Sequence, residues 1–579
     1  MHTIIFSLLF CLFLLISALR AAGLPNVIVV LTDDQGFGDV SLYGNPVINT
    51  PNMDALAKEG VSFHQFHVTS MCAPTRAALL TGRNPLENGA ISTCQGLHSI
   101  RHGLPTLPQV MADAGYATGI FGKWHLGRNW PNRPQDKGFQ ETFALYGFGT
   151  TGISSRWNND YVDTWVVHNG EEKQTDGFNT DVFFDQAMDW IEQQGDTPFF
   201  AYIPTTAPHF PFWAPEELTA EYADTKNPEF FALLDNLDMN MGRLEAFLEE
   251  RGLKDDTIVI FMSDNGPVGG KSTYNAGMTG SKASPWEAGH RVPCFIRYPA
   301  GGIEGGRVVE GLADVTDIFP TLLDLCGIDS PEDVHLPGIS LRPAMLGEGQ
   351  IATRTIVMQI QQGRLDPKRA AIMSDQWRLL WCDSLYDIER DLSQQTKFTD
   401  EHPDVFLRLW QDYQRYYGRW QRRARRAQPE IVGSPHQATV ILDGSNWLEV
   451  RADGQKSVRK AKGASPDAAR WKIKAYRAGT YRIALRRWPV ESGLALDAAA
   501  PPFETRLSGE PLPQGTALPI TRATLEVDGR LYRKAAQDDP TAVVFDIELE
   551  EGVHMIQGLL RDDTDRMQCG AYYAYVEKM

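Results

Sequence analysis

A cysteine at the expected start of a helix is the residue of this chain best suited to chemistry. The segment Cys72-Ala-Pro-Thr-Arg76 is followed shortly by Leu80-Thr-Gly-Arg83. Proline suits the first turn of a helix, so the spacing predicts that Cys72 lies at a helix N-terminus. There the positive end of the helix dipole stabilises an anion, and Arg76 can pair with the same charge. The alternative is a buried hydrophobic cysteine or half of a disulfide.

Two apolar runs of the sequence each end in oxygen-bearing side chains. Residues 26–31 lead into Thr32-Asp33-Asp34, and residues 258–262 lead into Ser263-Asp264-Asn265. Continuous apolar runs are typical of strands buried on both faces of a parallel sheet, and ligands bind just beyond the carboxyl ends of such strands. We therefore expect these groups to converge. Hard oxygen donors favour Ca²⁺ or Mg²⁺ over zinc, although Asp-Asp and Asp-Asn-Gly are also ordinary turn sequences.

Basic side chains in loops after further expected strands could handle an anionic ester. They are Lys123 and His125, His209, and Lys282, which precedes Trp286-Glu-Ala-Gly-His-Arg-Val-Pro293. Taken singly, a loop histidine or lysine is usually a solvated surface residue, which is the alternative for each of them. Together they would place positive charge on the peripheral oxygens of a transition state and supply a proton to a departing alkoxide.

In type and order these segments resemble the formylglycine-dependent type I sulfatases (arylsulfatase family) of the alkaline-phosphatase-like superfamily, over about residues 24–430. The resemblance implies that a formylglycine-generating or anaerobic sulfatase-maturing enzyme converts Cys72 to Cα-formylglycine, whose hydrate attacks sulfur. It implies a Ca²⁺ site, with Mg²⁺ possible, formed by Asp33, Asp34, modified Cys72, Asp264 and Asn265. The catalytic groups would be Cys72, Arg76, Lys123, His125, His209, Lys282 and Asp264. His290 departs from the family, which more often has an apolar residue there.

The expected fold class is α/β, with a large, mostly parallel sheet flanked by helices. We predict a signal peptide at residues 1–23, a catalytic domain at 24–350, a smaller α+β subdomain at 351–433 and a β-sandwich-like accessory domain at 434–579. The last prediction depends on short alternating segments, such as residues 471–476 and 481–485, separated by turn residues. This accessory domain could bind carbohydrate, or could pack on the core and wall the active site.

The net charge of the chain bears on its binding partners, and the apolar N-terminal segment bears on its cellular location. The formal net charge of −18 argues against nucleic acid as a partner. Residues 4–19 are almost entirely apolar, which is short for a membrane span and typical of a signal-peptide core, although no lysine or arginine precedes them. We predict export to the periplasm or the extracellular space without a stable membrane span after cleavage. An uncleaved N-terminal anchor is the alternative.

Substrate specificity is expected in loops rather than in the groups that handle sulfate. An aromatic ring beside amides and a carboxylate suits a sugar, which predicts substrate binding by Trp157, Asn158, Asn159, Asp160 and His168. A polar surface loop is the alternative. We predict a sulfated poly- or oligosaccharide as substrate. The rival hypotheses are a formylglycine-dependent hydrolase of aryl sulfates or of phosphate or phosphonate esters, and a non-catalytic protein that binds sulfated glycans.

Overall fold

The structure is a computed structural model that describes residues 23–331, 334–360, 362, 365–462, 465–536 and 539–579. The signal peptide predicted for residues 1–23 therefore lies outside the described residues, apart from Gly23. Among the described residues, no helix combines the length and the apolar character needed to cross a bilayer.

A ten-stranded mixed sheet organises the first half of the chain. Its strands are β1 (Asn26–Thr32), β2 (Val61–His67), β3 (Ala117–Lys123), β4 (Glu141–Leu145), β5 (Trp165–His168), β6 (Glu171–Gln174), β7 (Phe199–Pro204), β8 (Thr257–Ser263), β9 (Cys294–Arg297) and β10 (Arg307–Asp314). Their order is β10-β2-β9-β8-β1-β7-β3-β4-β5-β6. The centre of the sheet, β8-β1-β7-β3-β4, is parallel throughout.

Helices cover both faces of this sheet because its central strands are apolar on both sides. In β1, Val27, Val29 and Leu31 join one hydrophobic core, whereas Ile28 and Val30 join the other. The α-helices of this half are Pro51–Glu59, Cys72–Thr81, Pro85–Asn88, Leu107–Asp113, Asn179–Glu192, Glu216–Thr219, Pro228–Glu250, Glu287–His290, Ile318–Leu325 and Arg342–Leu346. The two long helices Asn179–Glu192 and Pro228–Glu250 pack on one face of the sheet. The helices Cys72–Thr81 and Ile318–Leu325 pack on the other face, so the sheet is a buried middle layer.

A small antiparallel sheet follows. Its strands are β11 (Ile356–Gln359), β12 (Ala370–Ser374), β13 (Trp377–Leu380) and β14 (Ser384–Asp387), paired in sequence order. The helix Pro403–Ala424 lays Leu409 and Tyr413 against this sheet, in one core with Leu379 and Leu385.

The last part of the chain is a two-sheet sandwich. Its strands are β15 (Glu430–Val432), β16 (Thr439–Asp443), β17 (Arg470–Ala475), β18 (Gly479–Arg486), β19 (Arg522–Val527), β20 (Arg530–Ala535), β21 (Val543–Leu549), β22 (Gly552–Arg561), β23 (Met567–Gly570) and β24 (Tyr573–Lys578), with one short helix, Gln455–Arg459. One sheet has the order β15-β17-β22-β19-β20, with β23 on β22, and the other has the order β16-β24-β18-β21. Alternate side chains such as Trp471 and Ile483 fill a shared core between them.

The predicted α/β fold class with an appended β-rich region is confirmed. The large sheet lies within residues 26–314, the small antiparallel sheet within 356–387, and the two sheets of the sandwich within 430–578. The domain boundaries at 350 and 433 stay a prediction.

Candidate active site

Adjacent parallel strands bring the acidic residues together. Thr32 at the end of β1 is the register partner of Ser263 at the end of β8, so the two pairs of polar residues leave the sheet side by side. The backbone N–H of Asp34, which has a positive φ of 71°, donates to Asp264 Oδ1 at 3.2 Å. All of these side chains are fully buried. The expected convergence is therefore observed.

Cys72 is the first residue of the helix Cys72–Thr81, with Met71 as the N-cap. Its side chain is buried. Burial raises the pKa of the Cys72 thiol, although Lys123 and Lys282 oppose the shift. A thiol in this state is mostly protonated at neutral pH, and only the thiolate is a strong nucleophile. The encoded cysteine is thus a poor nucleophile in this position.

Each buried carboxylate has a cationic partner. Lys123 Nζ lies 2.6 Å from Asp33 Oδ2. Lys282 Nζ lies 2.5 Å from Asp34 Oδ1. Arg76 donates from Nε and Nη2 to Asp264 Oδ2, at 3.0 and 2.7 Å. These ion pairs fix the positions of Lys123, Lys282 and Arg76, the cations predicted for the site. They also supply a donor to one oxygen of each of the three carboxylates.

Other oxygens of the same residues have no hydrogen-bond donor. Among the described residues, none donates to Asp33 Oδ1, Asp34 Oδ2 or Asn265 Oδ1, and all three atoms are buried. Ligand atoms of Asp33, Cys72 and Asp264 lie within 4.8 Å of one another, as do those of Asp33, Asp34 and His209. Burying acceptor oxygens without partners is unfavourable, and a hard divalent cation would satisfy them. If Cys72 is converted as the sequence predicts, an oxygen of the hydrated aldehyde would take the place of its sulfur in this group. The residues therefore fit a divalent-metal site.

The two histidines of the site are neutral and held by backbone carbonyls. His125 Nε2 donates to the carbonyl of Thr93 (3.1 Å), and His209 Nδ1 donates to that of Phe210 (2.6 Å). Burial lowers the pKa of both rings well below the usual value. His209 Nε2 consequently has a free lone pair, 3.7 Å from Asp34 Oδ2.

Lys282 pairs with Asp34, the carboxylate that His209 also faces. Burial disfavours the charge of Lys282, but Asp34, together with Cys72, Asp33 and Asp264, outweighs burial and raises the pKa of Lys282 above the usual value. An ammonium group that stays charged can stabilise developing negative charge on an ester.

Sequence reasoning missed Phe148, which packs between the two histidines. Its ring centroid lies 5.4 Å from that of His209 and 6.3 Å from that of His125. The signal was weak, because Phe148 lies in a glycine-rich stretch that is typical of any loop. The ring limits the room around the histidines.

A cavity of about 1390 Å³ opens above these groups. Of the residues predicted to act in catalysis or metal binding, Cys72, His125, His209 and Lys282 line it. Asp33, Asp34, Arg76, Lys123, Asp264 and Asn265 lie buried beneath it. The β-rich region contributes part of the wall, at residues 451–462 and 509–512. This arrangement agrees with the alternative that the accessory region packs on the core and walls the active site, although no local motif marks these residues.

The five residues predicted to bind the sugar do not line this cavity. Trp157 is buried in the sandwich core against Trp488, with ring centroids 5.2 Å apart. Asn158 Oδ1 accepts a hydrogen bond from Arg459 of the β-rich region (2.5 Å). The Asn159 amide donates to the carbonyl of Trp165 and accepts from its backbone N–H. Asp160 accepts from the Thr505 hydroxyl (2.7 Å), and His168 pairs with Glu141 (2.7 Å). Their polar groups are already engaged, so sugar binding by these residues finds no support in this geometry.

A second buried charge cluster lies where the small antiparallel sheet meets the catalytic core. Arg378 donates to Glu287 from Nε (2.8 Å) and Nη2 (3.2 Å). His67 and His290 hydrogen-bond to each other through their Nδ1 atoms (2.9 Å). The ligand atoms of Glu287, His67 and His290 lie within 4.8 Å of one another, but the Arg378 guanidinium already balances the Glu287 charge. The cluster fits an internal ion pair rather than a second metal site.

A family model described as Sulfatase matches residues 25–328. The chain is 34% identical to N-acetylgalactosamine-6-sulfatase of Canis lupus familiaris over 376 residues, which cover 59% of this chain and 71% of that protein. It is 31% identical to human arylsulfatase A over 373 residues, covering 58% of this chain and 70% of that protein.

Solved structures with a similar fold are also found. The crystal structure of Ps i-CgsB in complex with k-i-k-neocarrahexaose has a TM-score of 0.62 and 27% identity, covering 68% of this chain and 92% of that one. A phosphonate monoester hydrolase from Silicibacter pomeroyi, with a TM-score of 0.51 and 21% identity over 68% of this chain and 96% of that one, shares the fold alone. The chain belongs to the sulfatase family, as a type I sulfatase of the alkaline-phosphatase-like superfamily, and is a sulfuric ester hydrolase.

Proposed function

We propose that this sulfatase removes sulfate from a sulfated poly- or oligosaccharide, using a formylglycine made from Cys72 and a bound Ca²⁺. The observation that carries the proposal is the group of buried oxygens without donors beside Cys72, beneath a cavity of about 1390 Å³. Such oxygens favour a hard cation, with Mg²⁺ as the alternative, and a cavity of this size exceeds the needs of a small aryl sulfate. The ligands would be Asp33, Asp34, Asp264, Asn265 and an oxygen of modified residue 72.

The groups around residue 72 would prepare the attack. When bound, the cation polarises the sulfuryl group and the aldehyde hydrate provides the attacking oxygen. The Asp264 carboxylate would accept the proton of that hydroxyl. Arg76 Nη2 holds this carboxylate in place, 2.7 Å from Asp264 Oδ2. Arg76 also donates to the carbonyl of Lys123 (3.1 Å), which fixes the end of β3 against the helix of Cys72.

The remaining groups would bind the sulfate and assist the leaving alcohol. Lys123 and Lys282 would place positive charge near the peripheral oxygens, and His125, which lines the same cavity as Cys72, would contact the sulfate. Lys282 and His209 lie on either side of Asp34, so a proton can pass to the departing oxygen from this pair.

The saccharide substrate draws support from the relatives. One relative is named for a 6-sulfate of N-acetylgalactosamine, and the Ps i-CgsB structure holds a neocarrahexaose. Both names concern carbohydrates. As part of the same proposal, the chain is exported to the periplasm or beyond and relies on a formylglycine-generating or anaerobic sulfatase-maturing enzyme.

We expect the matured enzyme to release inorganic sulfate from a sulfated oligosaccharide with a kcat/KM at least about 100-fold above that for the matched phosphate ester. Ion chromatography of the released anion measures this. Turnover of aryl sulfates alone would overturn the saccharide part, and preferred turnover of the phosphate ester would favour the rival hypothesis of a phosphate or phosphonate hydrolase.

Removal of the metal should weaken both activity and stability. A ligand at about 100 times its Kd stabilises the native state by about 2.7 kcal/mol, so Ca²⁺ added to chelated protein should raise the unfolding temperature. The Asp264→Asn variant, which loses a ligand charge, should show a smaller rise. Calorimetry of the two proteins, with Mg²⁺ in a parallel series, measures the difference. Equal responses of both proteins would contradict the assigned ligand set.

A further inference from the structure

The β-rich region closes one side of the cavity above Cys72 with a short segment. Residues 451–462, which include the helix Gln455–Arg459, provide this wall. The segment precedes β17, and nothing in its sequence resembles the motifs that handle sulfate. It is therefore a feature of this chain in addition to the catalytic groups.

This segment is fixed relative to those groups. Backbone hydrogen bonds of 2.9 and 3.0 Å join residues 453–455 to residues 151–153 of the catalytic core. A β-carbon placed on Gly454 would lie 3.3 Å from the ring of Phe148, which in turn packs on His209. The wall and the catalytic histidine thus belong to one packed unit, so a ligand above Cys72 would meet both.

Three cations of the segment line the cavity: Arg451, Lys456 and Lys462. Lys456 and Lys462 are exposed, and neither has a carboxylate within 4.0 Å among the described residues. Arg451 Nε lies 3.0 Å from Asp453, and the side chain of Arg451 remains 52% exposed. These charges are available to a ligand.

The cavity contrasts in charge with the rest of the molecule. Among the described residues that line it, six lysine and arginine side chains stand against three carboxylates, whereas the whole chain has a formal net charge of −18. Lys282 pairs with Asp34 beside the proposed position of the reacting ester. Lys456 and Lys462 lie on a different wall of the cavity, which the β-rich region forms. The surplus of positive charge exceeds what one sulfate ester requires, and it would attract a ligand with more than one anionic group.

We infer that Arg451, Lys456 and Lys462 form a second anion subsite, which binds a sulfate or carboxylate on a sugar next to the one that loses its sulfate. The inference rests on the proposed function, because it places the reacting ester above Cys72. It narrows the substrate to a polyanionic saccharide with at least two charged groups in reach of one cavity.

The test compares two substrates in wild-type protein and in the double variant Lys456→Gln/Lys462→Gln. One substrate is an oligosaccharide with a second anionic group, and the other is its counterpart with a single sulfate ester. We expect the ratio of their kcat/KM values to fall about 10-fold in the variant, mainly through KM. Raising the ionic strength from about 50 to about 200 mM should lower the same ratio in the wild-type protein, because exposed charges are screened.

The matched control is Lys460→Gln, since Lys460 is exposed at the end of the same helix but does not line the cavity. Its ratio should equal that of the wild-type protein. Separate substrates with a second sulfate or a uronate carboxylate identify which anion is bound. An unchanged ratio in the double variant, in a protein that hydrolyses both substrates, would overturn the subsite alone. Failure of matured wild-type protein to desulfate any saccharide would instead overturn the proposed function.

Discussion

Replacing Cys72 by alanine should lower kcat/KM for sulfate ester hydrolysis by at least about 1000-fold, because residue 72 then has no group that can become the nucleophile. Serine at this position should also fail, since a single hydroxyl lacks the second oxygen of an aldehyde hydrate. The unmodified thiol is no substitute either, because burial raises the pKa of Cys72 and keeps it protonated. Initial rates of sulfate release, normalised to folded protein, measure the loss.

The mass of the peptide that carries Cys72 tests the same point without an activity assay. Protein made in a host with a maturing enzyme should yield this peptide about 18 Da lighter than the sequence requires, because the thiol becomes an aldehyde. The peptide with Cys326, another buried cysteine, should keep its encoded mass and serves as the internal control. Fully active protein with an intact Cys72 thiol would refute the proposed nucleophile.

Local sequence was sufficient to predict the groups at the floor of the site. Asp33 and Asp264 each follow an apolar run, and the register of β1 with β8 brings such strand ends together in any sheet of this kind. Cys72 begins its helix where the proline spacing predicts. The positions of these three residues depend on a few neighbouring residues and on a general rule of parallel sheets, so the sequence alone is enough to predict them.

The upper part of the cavity could not be predicted because it depends on contacts between distant parts of the chain. Trp157 has the composition of a sugar platform, but a tryptophan in a polar loop has the same sequence environment whether it faces a ligand or Trp488 in the sandwich core. Lys456 likewise follows Gly454 and Gln455 in a stretch without a recognisable motif, and its place on the cavity wall depends on the hydrogen bonds between residues 453–455 and 151–153. Specificity therefore has to be sought in the tertiary structure.

The buried pair Glu287 and Arg378 gives the second large expected effect. Both side chains are fully buried, so the Glu287→Gln change leaves the Arg378 guanidinium without a full counter-charge. Removing one partner of a buried ion pair typically costs about 3–5 kcal/mol of stability. Burial alone would raise the pKa of Glu287, but Arg378, His67 and His290 together outweigh it and lower that pKa. The pair consequently stabilises the protein at neutral pH, and its contribution declines as the pH falls below the ordinary range of a glutamate.

Chemical unfolding followed by circular dichroism should show the loss as a lower midpoint for Glu287→Gln. The double variant Glu287→Gln/Arg378→Met should recover much of it, because no unpaired charge stays buried. The exposed pair Arg390 and Glu401 (3.6 Å) is the matched control, and its Glu401→Gln variant should change the midpoint little. Because Glu287 begins the short helix after the Lys282 segment, the same variant should also lower activity near its new midpoint. Equal midpoints for the Glu287 and Glu401 variants would mean that the cluster does not hold the small sheet on the catalytic core.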